Sequence, residues 1–207
     1  AVRLCDLILR RPAGPAREAL YGWLIGRPHN AEALPPLVRQ FELFKRGESK
    51  VAPEVPFQML TSLELDTTAW QSIASQAPWQ MTRMNLNTFA RHGVFQDKML
   101  TRQVASRLRD PQKVRRARCF PYQLLTAYHS TDASVPAVVK DALQDAMEIA
   151  IENVPAIEGR VIVCPDVSGS MHAAVTGYRA GSTSVTRCID VAALVAAAML
   201  RKNREAK

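Results

Sequence analysis

Three oxygen-bearing side chains at alternate positions, Asp166, Ser168 and Ser170, follow directly on the apolar run Val161-Ile162-Val163-Cys164. The stretch from Arg160 to Cys164 is short, β-branched and bounded by Pro165, the pattern of a buried parallel strand that ends in a loop. In an extended turn this spacing lets one carboxylate and two hydroxyls converge on a point, and hard oxygen donors suit Mg2+ or a similar cation. A strand-to-helix loop in which the same residues only cap backbone N–H groups is the plainer alternative. A serine-hydrolase elbow fits worse. It sets glycine two positions either side of its nucleophile, and around Ser168 those places hold Asp166 and Ser170.

A second concentration of chemistry is electrostatic. Between Arg83 and Arg118 stand ten Lys or Arg residues against Asp97 and Asp110, so this stretch alone accounts for the net charge of +8. Such a stripe in an otherwise balanced chain is the footprint of a polyanion-binding surface, with a merely solvated helical face as the alternative. Leu100, Val104 and Leu108 recur at helical spacing, and at about 100° per residue Lys98, Arg102 and Arg109 project opposite them. Arg107 falls nearer the apolar side and is expected to be structural. Lys113, Arg115, Arg116 and Arg118 follow within a basic loop or short helix behind Asp110-Pro111.

Other chemistries find little support. Paired carboxylates, a Cys-His arrangement and a Gly-rich phosphate cradle are all missing from the sequence, and His29, His92, His129 and His172 are dispersed. No catalytic residue is therefore assigned, and the chain is expected not to be an enzyme. Cys5, Cys119, Cys164 and Cys188 show no C-x-x-C spacing, which indicates neither a zinc site nor a disulfide framework and suggests a reducing, cytoplasmic setting. The longest apolar stretch, Val191 to Leu200, falls short of the roughly 18 residues a membrane span needs, so no membrane partner is expected. The chain opens on Ala1 without a secretory signal pattern or an initiator methionine, and both ends read as cuts.

The elements that must position these groups are mostly short helices. Pro36, Pro56, Pro78, Pro121 and Pro136 fall where helices would start. Val2-Leu4-Leu7-Ile8 and Ala19-Leu20-Trp23-Leu24 predict a helical hairpin, and Leu37, Phe41 and Phe44 a helix that ends at Gly47. Asp66 predicts an N-cap for a helix carrying Trp70 and Ile73. One helix is expected from Pro78 to His92-Gly93 with Met81, Met84, Leu86 and Phe89 as its apolar contacts, and another over Gln96 to Arg109. Pro121 predicts a helix with Leu124, Leu125 and Tyr128. Ser134 and Pro136 read as the N-cap and N1 of a long helix to Asn153. Val154 to Gly159 is a linker, and after a polar loop an alanine-rich helix runs from Val185 to Arg204.

Two resemblances follow from these segments. Asp166-Val167-Ser168-Gly169-Ser170, followed by Met171 and a later apolar helix, resembles the metal-ion-dependent adhesion site that opens a von Willebrand factor A domain. That resemblance implies a divalent cation, Mg2+ by preference, with Ser168 and Ser170 as direct ligands and Asp166 acting through water. The Thr and second Asp that the family draws from later loops have no counterpart, since Thr183 and Thr186 lie in a different loop. The implied site is incomplete and would complete its shell from a protein partner, as a docking device.

The order of several short helices, basic stripe and D-x-S-x-S resembles the TROVE family, that of the Ro 60 kDa autoantigen and its bacterial relatives. The segments that carry it are Phe41-Glu42-Leu43-Phe44-Lys45, the run from Arg83 to Val94, the Phe120 to His129 helix, and Cys164 to Met171. The implied fold is mainly α, with HEAT-like helical repeats over 1–154 followed by the first strand and helix of an α/β von Willebrand A (Rossmann-like) domain over 160–207, truncated in this chain. The implied function is binding of structured noncoding RNA, Y-like or misfolded, together with single-stranded RNA 3′ ends, in RNA quality control or as an RNA-tethered adaptor. The residues expected to carry it are Arg83, Asn87, Arg91, His92, Lys98, Arg102, Arg109, Lys113, Arg115, Arg116 and Arg118. The cations supply sequence-independent phosphate contacts, and Asn87 and His92 base or sugar contacts. The alternative is a metal-dependent protein-interaction module in which the helices are only a scaffold.

Overall fold

The computed structural model describes residues 14–178 and 184–207. The first half of the expected hairpin, Val2 to Ile8, lies outside them, as do Cys5 and Thr183. The chain divides into two compact units, one up to Ile73 and one from Ala74 to Lys207.

In the first unit, α1 (Pro15–Leu24) has proline in its first turn, where the missing N–H has no intrahelical partner to lose. A 3-10 turn, Ala31–Ala33, is capped by the Asn30 side chain. α2 (Pro36–Lys45) buries Phe41 and Phe44 and stops at Gly47, whose φ of 74° suits glycine. Trp23 meets Phe41 edge to face at 6.4 Å while its indole N–H donates to Glu42 at 2.9 Å, so α1 and α2 are fixed by both apolar and polar contact. α3 (Phe57–Thr61) buries Leu60. Asp66 accepts the Ala69 N–H at 2.7 Å, the expected cap for α4 (Thr67–Gln76).

The second unit carries the basic stripe. The single helix expected from Pro78 is two, α5 (Trp79–Met84) and α6 (Leu86–Arg91). They break at Asn85, where φ is −121° and the side-chain amide donates to the Met81 carbonyl at 2.8 Å. A short amide side chain that competes for backbone partners interrupts a helix in this way. The break turns Met84 outward, 68% exposed, while Leu86 and Phe89 stay buried. Gly93, in the left-handed region, closes α6 as expected.

α7 (Lys98–Leu108) starts at Asp97, whose carboxylate accepts from the N–H groups of Met99 and Leu100. α8 (Pro111–Ala117) repeats the device with Asp110. α9 (Pro121–Ser130) follows, then α10 (Ala137–Ala150), whose Val139, Leu143, Ala146 and Ala150 are wholly buried. These residues recur at spacings of four, three and four, one face of a helix, and pack α10 against α7, α8 and α9. Ser134 does not cap α10. The helix begins one residue after Pro136, leaving Ser134 too far out, and its N–H and hydroxyl both turn back to the Asp132 carboxylate.

Beyond Asn153 the chain was expected to open a new domain with a strand. Among the described residues no strand ladder forms. The segment over 160–164 is extended, and its N–H and C=O groups meet one residue: Val163 donates to the Lys207 carbonyl at 2.7 Å and Lys207 donates to the Val161 carbonyl at 3.1 Å. This is the bonding of a single parallel pair, and one pair does not make a ladder. Ile162 is 69% exposed. α11 (Cys188–Lys202) packs on α9, so the C-terminal segment belongs to the same compact unit as the basic helices.

Candidate nucleic-acid interface

The expected cations divide into three groups by what their side chains touch. Arg107, half-buried, donates to the carbonyls of Ala74 at 2.7 Å and Ser75 at 2.5 Å and lies 3.2 Å from the Thr82 hydroxyl. Burial lowers its pKa, and it is held as an internal clamp. Arg83 is also turned inward, donating to the Gln123 carbonyl at 2.9 Å, with its buried Nε left without a partner.

A second group sits on the surface in ion pairs. Arg109 meets Asp145 at 3.4 Å, Lys113 meets Asp110 at 3.1 Å, and Arg115 meets Glu152 at 2.6 Å. The Lys113 ammonium, hydrogen-bonded to Asp110, lowers that carboxyl's pKa, and Arg115 does the same to Glu152. Exposed pairs of this kind are screened by solvent and contribute little, so a phosphate can displace the carboxylate.

The third group, Lys98, Arg102, Arg116 and Arg118, is exposed and makes no ion pair among the described residues. Arg91 is exposed as well and helps hold the Asp132 carboxyl below its ordinary pKa, behind the larger effect of the Ser134 hydroxyl. Arg118 ends α8 at φ 48°, a left-handed conformation that costs a side-chain-bearing residue about 1–2 kcal/mol.

Of the polar residues expected beside the cations, Asn87 is committed to the fold. Its amide donates to the Ser130 carbonyl at 2.6 Å and its carbonyl accepts the Asp132 N–H at 3.2 Å, tying α6 to the end of α9. His92 is half-exposed at the end of α6. Asp145 and Glu152, the acidic partners of the stripe, carry no sequence signal because they lie 36 and 37 residues from the arginines they meet.

The D-x-S-x-S loop is exposed throughout. Asp166 accepts the Ser168 N–H at 2.8 Å, and that bond pulls its carboxyl below the ordinary range. One carboxylate oxygen therefore performs the capping role. Ser168 Oγ and Ser170 Oγ face each other at 3.1 Å, a hydroxyl hydrogen bond. Adjacent ligands of an octahedral Mg2+ with oxygens at about 2.1 Å are separated by about 3 Å, so the two hydroxyls also fit as a pair of ligands. Among the described residues no three His, Cys, Asp or Glu side chains gather to hold a metal, so a cation here would rest on hydroxyls, one carboxylate and water. Beyond the loop, Ala174 pairs with Arg187, and Arg187 forks onto Asp190 at 2.9 Å, which pulls that carboxyl down to about 2.

Residues 51–161, from the connector before α3 through the end of the helical stack, match the TROVE domain. The chain belongs to the TROVE-domain family. The crystal structure of the Deinococcus radiodurans RO (RSR) protein superposes on 95% of this TROVE chain with a TM-score of 0.64 and 22% identity. At that identity the likeness speaks for the fold alone, the mainly helical architecture described above. The superposed part is 43% of the Deinococcus protein, so the TROVE chain spans less than half its length. No curated protein matches the chain. Among the described residues no helix is long and apolar enough to cross a membrane.

Proposed function

We propose that this TROVE chain binds structured noncoding RNA, Y-like or misfolded, through the cations of α7 and α8, in RNA quality control or as an RNA-tethered adaptor, with no chemistry of its own. One observation carries the reading. The most basic stretch of the sequence folds so that its apolar stripe is wholly inward while Lys98, Arg102, Arg116 and Arg118 stay exposed and make no ion pair among the described residues. Cations needed only for folding would be spent as Arg107 is. Those left over supply phosphate contacts and positive potential. RNA 3′ ends are further candidate ligands of the same potential, and a cytoplasmic setting suits such a role.

Fluorescence anisotropy of a labelled hairpin RNA with a single-stranded 3′ tail, titrated from about 50 to 200 mM salt, tests this. Each phosphate contact contributes about 0.7–0.9 to the slope of log K against log salt, so four contacts give a slope near −3. Binding that is absent or indifferent to salt overturns the reading.

A second reading is favoured by the facing serine hydroxyls. The segment 160–207 is the start of a von Willebrand A-like domain, and Asp166, Ser168 and Ser170 hold a divalent cation that a protein partner's carboxylate completes. The parallel pairing of Lys207 with Val161 and Val163 supports the first clause. It predicts partner binding that chelator abolishes and RNA does not affect.

A further inference from the structure

Where α5 breaks from α6, a cleft of about 200 Å³ opens in the second unit toward the last turns of α9. Arg83, Met84 and Leu86 wall it from the break, and Thr126, Ser130 and Thr131 from α9 and its end. The volume lies under the roughly 300 Å³ at which pockets for drug-sized ligands begin, and leaves room for one planar ring system. Leu86 is buried and Met84 is 68% exposed. The Arg83 guanidinium is underused. It donates to the Gln123 carbonyl at 2.9 Å, its buried Nε has no partner, and no carboxylate pairs with its charge among the described residues.

What these side chains have left to offer decides the ligand. Thr126 Oγ1 donates to the Tyr122 carbonyl at 2.9 Å, Ser130 Oγ to the Thr126 carbonyl at 2.7 Å and Thr131 Oγ1 to the Tyr128 carbonyl at 2.7 Å. With their protons used, the hydroxyls can only accept, whereas Arg83 can only donate. A bare anion would meet Arg83 and leave the apolar wall uncovered, and an aliphatic side chain would leave the guanidinium unmatched. Guanine meets both demands on separate edges. Its O6 and N7 accept side by side, the usual match for an arginine fork, while N1–H and the 2-amino group donate. Adenine sets an amino donor where guanine has O6, and the pyrimidines carry fewer donors than the hydroxyls can take. The flexible thioether of Met84 adapts to the face of the ring.

We propose that this cleft binds a single guanine base, with Arg83 donating to O6 and N7 and the hydroxyls of α9 accepting from N1–H and the amino group. The base arrives on an unpaired residue of RNA or on a free guanine nucleotide. The RNA source rests on the RNA reading; the base preference does not.

The test follows the Met84 methyl signal in protein with labelled methionine methyls, assigned through Met84→Leu, during titration with GMP, AMP and ribose 5-phosphate. GMP is expected to move it with about tenfold or more higher affinity than AMP, the worth of one fork of hydrogen bonds, and ribose 5-phosphate to leave it unmoved. Arg83→Gln should abolish the preference for GMP. Thr126→Val, which keeps the side-chain shape and loses the acceptor, should weaken GMP at least threefold and keeps the proposal testable where Arg83→Gln does not fold. A second arm gives the hairpin RNA a uridine 3′ tail with one guanosine, adenosine or abasic residue, so that the phosphates are the same in each. At least fivefold tighter binding of the guanosine tail supports the proposal with RNA as the source. A GMP-selective Met84 response beside a hairpin that ignores the tail base supports it with free nucleotide as the source, and the same response with no hairpin binding at all overturns the RNA reading but not the cleft. Equal responses to GMP and AMP overturn the proposal. So does a response to ribose 5-phosphate or to a capped glutamine peptide, which would make the cleft a site for an anion or a peptide amide.

Discussion

The Arg107 guanidinium lies 3.2 Å from the Thr82 hydroxyl, and Thr82 is itself wholly buried and donates to the Pro78 carbonyl at 3.0 Å. One of the ten cations of the basic stripe is thus part of the seam between α5 and α7. Arg107→Met is expected to lose the bonds to Ala74, Ser75 and Thr82 together and to destabilise the protein by about 2 kcal/mol, the range for hydrogen bonds to a charged group whose partners are left behind. Denaturant unfolding measures it. RNA affinity of the folded variant should stay within about twofold of the parent, since this guanidinium faces inward.

At Arg118 stability and binding should move in opposite directions. The left-handed φ of 48° is a place where glycine is at ease. Arg118→Gly is expected to raise stability by up to about 1 kcal/mol while reducing RNA affinity by roughly the worth of one phosphate contact. A variant that loses stability, or binds RNA as the parent does, contradicts the placement of this residue.

The core of the helical stack turns on α10. Leu143 is wholly buried, and Leu143→Ala removes the transfer energy of the side chain and leaves a cavity, a loss of about 2–5 kcal/mol. Thermal unfolding should drop accordingly, and by much more than for Met84→Ala, because Met84 is 68% exposed.

Asp190 titrates at about 2 against an ordinary 3.8, held down first by its side-chain bond to Arg187. A depressed folded-state pKa means that the stabilisation from this carboxylate is complete above the unfolded value and lost as pH falls from about 4 through about 2. Carboxyl-carbon NMR of Asp190 should give a midpoint near the lower value, and Arg187→Gln should return it toward 3.8. A midpoint near 3.8 in the parent protein would show that the fork is not maintained in solution.

What could be read ahead of the structure was what is local. Asp66 caps the helix it precedes as expected, because capping depends on residues two or three positions away, whereas the caps at Asp97 and Asp110 follow the same local rule but were not expected. The inward turn of Arg107 followed from the helical repeat alone. Asn85 breaks the helix expected from Pro78 because its amide takes the Met81 carbonyl, and Ser134 lost the cap to a one-residue difference in where α10 begins. The pairing of Arg109 and Arg115 with acids more than thirty residues away needed the fold itself. The run at 160–164 was expected to be a buried strand, but a ladder depends on neighbours: only Lys207 pairs with it among the described residues, and Ile162 is exposed.

The measurement that bears most directly on the central claim is RNA binding by a triple charge reversal, Lys98→Glu, Arg102→Glu and Arg116→Glu. All three side chains are exposed and lack ion-pair partners among the described residues, so the variant should unfold at the parent's denaturant midpoint. Its affinity for the tailed hairpin at about 100 mM salt should fall at least a hundredfold, and the slope of log K against log salt should become shallower by about 2–3. A folded variant that binds the hairpin with the parent's affinity and salt slope would contradict the assignment of this surface to RNA.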